Sequence, residues 1–241
     1  MSLPRFKQTF KKNYPKYKRL LIKAKDKDIN EADTVDIITG ILNDILGYDR
    51  YRDITREYLI KGTYCDLALK INDKLKILIE VKAIGVELKD THLTQAVGYG
   101  ATEGIEWIIL TNGLCWKCYK ITWKNKVESH LVYELDFGNI SFRKDDDSIA
   151  VYGISKDGFK KNIVQTHYQY QQLVNKYNVG SVLLSDFIAR QIRTQLKKVN
   201  PKIKIDVQII KAILENEIIK REIVDNDLTK LFTKKIKKFL K

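Results

Sequence analysis

The sequence predicts an α/β protein: a mixed central sheet flanked by helices, followed by a helical C-terminal annex. Three observations carry that prediction. Short apolar runs bounded by turn residues recur between residues 54 and 137 and read as strands. Two segments with apolar residues three and four apart, about 31–46 before them and 90–102 among them, read as helices. Beyond residue 162 the pattern is helical throughout.

Residues 4–27 interleave Phe6, Phe10, Tyr14, Tyr17, Leu20, Leu21 and Ile22 with lysines. Their spacing predicts a short amphipathic helix after Pro15 with a less regular approach before it. The aromatics read better as packing against a core than as a phosphate-contacting arm. Asn30 is a suitable N-cap for the next helix, Asp33 suits its first turn, and Gly47 ends it. Strands follow at 54–60, 64–71 and 75–83. If the turn at Asn72-Asp73 centres on Asp73, residues whose numbers sum to 146 face each other, so Asp66 opposes Glu80. Alternation then sends Glu80 and Lys82 to one face and Ile77, Ile79 and Val81 to the other. Two opposed carboxylates repel unless a cation lies between them. A plain salt bridge from Lys82 to Asp66 is the competing reading of these strands alone.

A helix over about 90–102 would connect to the apolar strand 105–110, and that crossover allows a parallel pairing in a mixed sheet. Gln95 and Tyr99 are four apart on one helical face, with His92 three before Gln95. Gly98 and Gly100 are poor helix formers and suggest a close approach or an early end. Residues 114–123 and 127–137 would form a further hairpin around Lys124-Asn125-Lys126. Cys115 and Cys118, on a strand, face opposite ways and read as neither zinc nor redox pair. Residues 138–160 read as a loop-rich connection, with Asp145-Asp146-Asp147 as a solvated turn. Helices are expected over about 162–177, 181–198 and 206–223, with Asn200-Pro201 between the last two. Their apolar stripes, Val182, Leu183, Phe187, Ile188 and Ile192 and then Ile209, Ile210, Ile213 and Leu214, are expected to be buried.

The ordered motifs resemble a known family. Asp66, thirteen residues, then Glu80-Val81-Lys82 resembles the PD-(D/E)xK nuclease signature, and Gln95 to Tyr99 resembles its accompanying QxxxY element. Asn30-Glu31-Ala32-Asp33, Leu46-Gly47-Tyr48-Asp49, Gly62 to Ala68 and Leu110-Thr111-Asn112-Gly113 are similar to the N-terminal nuclease domain of type I restriction enzyme R subunits and its stand-alone relatives. The resemblance implies a restriction-endonuclease-like core and a Mg²⁺-dependent endonuclease acting on DNA. It implies that Asp66, Glu80 and the Val81 carbonyl hold Mg²⁺ (Mn²⁺ substituting), that Lys82 acts beside the attacking water, and that Gln95 and Tyr99 place the lysine or a phosphate. Glu31 reads equally as a further approach to the metal and as a first-turn residue serving the helix dipole. The alternative function is a non-catalytic nucleic-acid-binding or scaffolding module that keeps the fold.

Charge supports a polyanionic partner. The chain of 241 residues carries a net charge of +14. Residues 1–28 contribute +8 and residues 229–241 contribute +6, leaving a neutral body. Basic ends suit DNA, although they also serve solubility. The expected organisation is a basic extension over 1–28, a nuclease-like core over 29–137, and a loop and helical region with a basic tail over 138–241. No run of about 18 apolar residues occurs, so no membrane partner is expected. The three cysteines and the absence of a secretory h-region point to the cytoplasm. No Gly-Lys-Ser or Gly-Lys-Thr occurs, so no ATP is expected to bind. A partner protein supplying targeting, or a homodimer, fits the helical annex.

Overall fold

The computed structural model describes residues 2–60, 62–123, 126–141 and 145–239; the predicted turn at Lys124-Asn125 lies outside the described residues. The chain divides into two compact units, Met1–Tyr168 and Gln169–Lys241.

The first unit is built on a six-stranded sheet in sequence order, β1 (Ile54–Ile60), β2 (Thr63–Ile71), β3 (Lys74–Val81), β4 (Trp107–Thr111), β5 (Cys115–Thr122) and β6 (Glu128–Asp136). Every neighbouring pair is antiparallel except β3 and β4, which run parallel. Their connection carries a helix, α3 (Leu93–Glu103), as a parallel crossover requires. The mixed α/β architecture expected from the sequence is therefore present.

The two faces of the sheet bury separate apolar clusters. Ile77, Ile79 and Val81 of β3 pack beneath α1 (Leu3–Asp26) and α2 (Glu31–Asp44). Leu78, with Ala68, Ile108 and Leu110, packs beneath Leu93 and Ala96 of α3. Strand alternation thus decides which β3 residues meet which helix. Cys118 joins the first cluster while Cys115 packs on the second, so the two thiols do face apart.

Helix α1 departs from expectation: it runs unbroken through Pro15. Proline removes one intrahelical hydrogen bond, but Phe6, Phe10, Tyr17 and Leu21 are all buried on one face. Phe10 lies 6.2 Å and Tyr14 5.6 Å from Phe137, ring to ring. Tyr14 donates to the Phe137 carbonyl at 2.8 Å, and Tyr17 donates to Asp44 at 2.6 Å. Burial of this aromatic face outweighs the missing backbone bond, and it makes α1 part of the first unit rather than an appendage.

The described part of residues 138–160 is also more regular than its composition suggests. It contains α4 (Asp145–Gly153) and α5 (Lys156–Lys160). Ala150, Val151, Tyr152 and Ile154 are buried, and Tyr48 donates to the Ile154 carbonyl at 3.1 Å. Gly158 is a packing glycine: a Cβ there would stand 2.0 Å from the Tyr152 carbonyl oxygen. The side chains of Asp145 and Asp146 lie outside the described residues, and Asp147 accepts from the Ser141 amide at 3.0 Å. The run opens a helix rather than forming a turn.

The segment after residue 162 is helical but more divided than its periodicity predicts. It holds α6 (Ile163–Leu173), α7 (Lys176–Leu183), α8 (Asp186–Val199), α9 (Val207–Ile213), α10 (Arg221–Val224) and α11 (Asp227–Ile236). Asn175 caps a new helix inside the first expected helix, and Ser185 caps another inside the second. The predicted stripes are not buried as expected: Phe187 is 40% and Ile209 61% exposed, and only Ala189, Ile210 and Leu214 form a fully buried cluster. Periodicity reports an apolar face and not whether anything covers it. No helix among the described residues is long and apolar enough to cross a membrane.

Candidate active site

Strands β2 and β3 bring the candidate residues together at the end of the sheet. Leu67, Ala68 and Leu69 pair with Ile79, Leu78 and Ile77. That register puts Asp66 opposite Glu80, as the sequence predicts, though by a different route. The two-residue turn Asn72-Asp73 has both residues at positive φ, +52° and +61°, and Ile71 pairs with Lys74. The turn is therefore centred between Asn72 and Asp73. A bulge between Leu69 and Lys70 then shifts the pairing by one.

Asp66 Oδ2 accepts from the Val81 amide at 2.6 Å. Lys82 lies just past β3, and its backbone amide donates to the Thr111 carbonyl at 2.9 Å. Its ammonium meets three oxygens: Glu80 Oε1 at 2.7 Å, the Val81 carbonyl at 2.8 Å and Glu31 Oε2 at 3.5 Å. Lys82 thus pairs with Glu80 and Glu31 rather than bridging to Asp66. Glu31 reaches the cluster from the first turn of α2, whose N-cap Asn30 accepts from the Asp33 amide at 2.9 Å. Glu31 thus stands in the first turn of α2 and beside the Lys82 ammonium at once.

The cluster carries more negative than positive charge in a shielded place. Glu80 is only 6% exposed. Burial raises the Asp66 carboxyl above the ordinary carboxylate range; the Val81 amide and Lys82 pull it down, and Glu31 and Glu57 push it up. Glu80 is likewise raised, first by burial and then by Asp66 and Glu31, against the pull of Lys82. Burial works to lower Lys82, but Glu80, Glu31 and Asp66 outweigh it and hold the ammonium charged. Cys65, next to Asp66, is pushed up to about 12 by burial and by these carboxylates, which leaves it an inert thiol.

Sequence reasoning gave no role to three neighbours of the cluster, although Thr111 and Asn112 stand in one of the family-like motifs. Glu57 lies opposite Asp66 on β1, between the pairs Arg56–Leu67 and Tyr58–Cys65. It holds φ +47°, a conformation that costs a non-glycine residue about 1 kcal/mol or more. Thr111 and Asn112 form the other end of the site. Thr111 holds Lys82 through its carbonyl and accepts the Gly113 amide on Oγ1 at 2.9 Å. Asn112 accepts the Leu114 and Cys115 amides at 3.1 and 2.8 Å and donates to the Val86 carbonyl at 2.8 Å. It thereby ties the turn after β4 to the loop that follows Lys82. Polar residues closing an all-apolar strand were the available signal.

The α3 candidates are less fully placed. The side chain of Gln95 lies outside the described residues, and Tyr99 is partly buried against the α3-side cluster. His92 Nδ1 accepts the Lys89 amide at 3.2 Å and serves as a local cap. Of the two neighbouring glycines, Gly100 makes the close approach: a Cβ there would meet the Ile105 carbonyl oxygen at 2.7 Å, whereas Gly98 has open space.

No group of three or more His, Cys, Asp or Glu side chains among the described residues is arranged to hold a metal. The donor set nonetheless suits a hard cation: carboxylates and a backbone carbonyl, with no nitrogen or sulfur ligand. Glu80, the Val81 carbonyl and Glu31 already converge on a positive charge, the Lys82 ammonium. These residues fit a divalent ion that takes over part of that role.

The family model of the type I restriction enzyme R protein N terminus matches residues 38–134, a span that contains Asp66, Glu80, Lys82, Gln95 and Tyr99. No curated protein and no solved structure matches the chain.

Proposed function

With residues 38–134 a relative of type I restriction R-protein N-termini, we propose that the chain is a Mg²⁺-dependent endonuclease hydrolysing phosphodiester bonds in DNA. The observation that carries this reading is the convergence of Glu80, the Val81 carbonyl and Glu31 on the Lys82 ammonium, beside Asp66. Asp66, Glu80 and the Val81 carbonyl would hold Mg²⁺, with Mn²⁺ as substitute, and Glu31 stands near enough to join them. The bound ion would supply an activated water at neutral pH and offset charge on the phosphate.

The chain's own residues do the rest. Lys82, released in part from Glu80, would orient the attacking water and stabilise the phosphoryl oxygens. Its raised affinity for a proton keeps it cationic, which suits it to stabilising charge and not to acting as a base. Thr111 and Asn112 would fix the Lys82 backbone so that only the side chain moves. Gln95 and Tyr99 are proposed to place the lysine or a phosphate. The basic faces of α1 and α11 would contact the DNA backbone.

The test is cleavage of plasmid DNA with Mg²⁺ or Mn²⁺ against EDTA. Wild type should cut, and Glu80→Ala and Lys82→Ala should fall at least about 100-fold in rate, the scale of one electrostatic catalytic group, while keeping DNA affinity. A binding or scaffolding module would instead retain DNA without cutting it under any metal.

A further inference from the structure

The far end of the sheet holds a second charged site that the proposed chemistry does not use. A cavity of about 660 Å³ opens between the start of β3, the segment leading into β4, the end of β5, α5 and the start of α6. Glu80 lies four positions beyond Lys76 on β3, so this cavity lies roughly 13 Å along the strand from the carboxylates, at about 3.3 Å per residue. It belongs wholly to the first unit.

Four lysines line it, Lys74, Lys76, Lys120 and Lys160, against one carboxylate, Glu106, for a net lining charge of +3. Lys120 is accounted for. It is 6% exposed, it lies over the Trp107 ring at 4.7 Å, and it donates to Glu106 at 2.6 Å and Gln165 at 3.1 Å. That network spends the lining's one negative charge. Lys74, Lys76 and Lys160 are exposed, and among the described residues none of their side chains has an ion-pair or hydrogen-bond partner. Gln165, which accepts from Lys120 on its side-chain oxygen, also lines the cavity. Trp107 and Phe159, 5.6 Å apart edge to face, are the aromatic part of the lining.

We infer that this cavity binds a multiply charged phosphate group, carried by a free nucleotide or by the 5′-phosphorylated end of a nucleic-acid strand. Three uncompensated ammonium groups call for an anion of two or more charges; a single carboxylate would leave two of them unmatched. Lysine is a compact donor suited to phosphate oxygens. The volume falls within the range of small-ligand pockets. A concave site of this size admits one nucleotide-sized group and not the side of a duplex. The inference stands on residues outside the carboxylate cluster and is independent of the nuclease reading.

Calorimetric titration of the full chain with inorganic pyrophosphate, in EDTA, tests it. Wild type should bind, and the triple variant Lys74→Ala, Lys76→Ala, Lys160→Ala should bind at least tenfold more weakly with unchanged unfolding temperature. Changing three exposed lysines of α1, Lys11, Lys12 and Lys23, to Ala should alter affinity less than twofold, which separates the cavity from the general basic charge. Glu80→Ala should bind as wild type does. Titrating dAMP against a short oligonucleotide with and without its 5′-phosphate then separates the two sources. A Lys160→Glu single variant gives the same readout should the triple variant fold poorly. Undetectable pyrophosphate binding, or an equal weakening in the α1 variant, would overturn the inference.

Discussion

Replacing Glu80 by Gln should change stability in opposite directions with and without a divalent ion. With Glu31, Asp66 and Glu80 ionised, the cluster holds three negative charges against the one of Lys82. Asp66 and Glu80 bind protons more tightly in the folded chain than in the unfolded one, burial being the first cause. A carboxyl raised in this way contributes stability below its unfolded value near pH 4 and loses it as pH rises through the folded value. At pH 7 the metal-free site therefore weakens the fold. Glu80→Gln removes one charge and keeps an oxygen for Lys82. By the scale of an opposed like-charge pair it should gain about 0.2–1 kcal/mol, or roughly 0.4–4 °C in a domain of this size. Metal reverses the order. At 100 times its dissociation constant an ion bound only to the folded state adds about 2.7 kcal/mol, or roughly 5–11 °C. Thermal unfolding followed by circular dichroism, in EDTA and then in a Mn²⁺ series, reads both effects. Wild type should melt below Glu80→Gln in EDTA and well above it in Mn²⁺. A variant that keeps the full Mn²⁺ shift would refute Glu80 as a ligand.

Three other outcomes are expected. Changing Lys234, Lys235, Lys237 and Lys238 to Gln should flatten the slope of log affinity against log salt by about 0.9 for each duplex phosphate that these lysines neutralise; an unchanged slope means they only solubilise. Substitution is preferable to deletion, because Ser181 donates to the Thr229 carbonyl at 2.8 Å and ties α11 to α7. Gly98→Ala should stabilise by up to about 1 kcal/mol through helix propensity, while Gly100→Ala, which drives a Cβ to 2.7 Å from the Ile105 carbonyl, should cost about 1–3 kcal/mol; denaturant midpoints compare them. Asp44 is raised by burial but pulled lower overall by hydrogen bonds from Tyr17, Asn43 and Lys16, so its contribution exists above pH 4 and fades as pH falls through the depressed value. With the carboxylate a third exposed, Asp44→Asn should cost about 1 kcal/mol at pH 7 and match wild type near pH 2.

Much of the site was legible in the sequence because strand alternation is strict. Once Asp66 and Glu80 fall on paired strands, only a few registers let Ile77, Ile79 and Val81 face one core while Leu78 faces the other. The register survived an error in the turn because a bulge made up the missing residue. Long-range contacts were less visible. Nothing local in Phe10 and Tyr14 says that Phe137 will receive them, and this contact helps carry α1 through Pro15. Glycines misled for a related reason: Gly153 and Gly158 mark close packing, whereas composition suggested a loop. Glu57 was hidden because positive φ is a property of backbone and not of residue type. The exposed stripes of α8 and α9 show the limit of periodicity, which identifies an apolar face without its neighbour.

Under the proposed function, Asp66 and Glu80 share a divalent ion. A crystal soaked in MnCl₂, with anomalous data collected near the manganese edge, addresses it directly. A peak is expected within about 2.0–2.6 Å of a carboxylate oxygen of each residue and of the Val81 carbonyl, with the Lys82 ammonium moved off Glu80. Peaks confined to other carboxylates, with Lys82 still on Glu80, would contradict it.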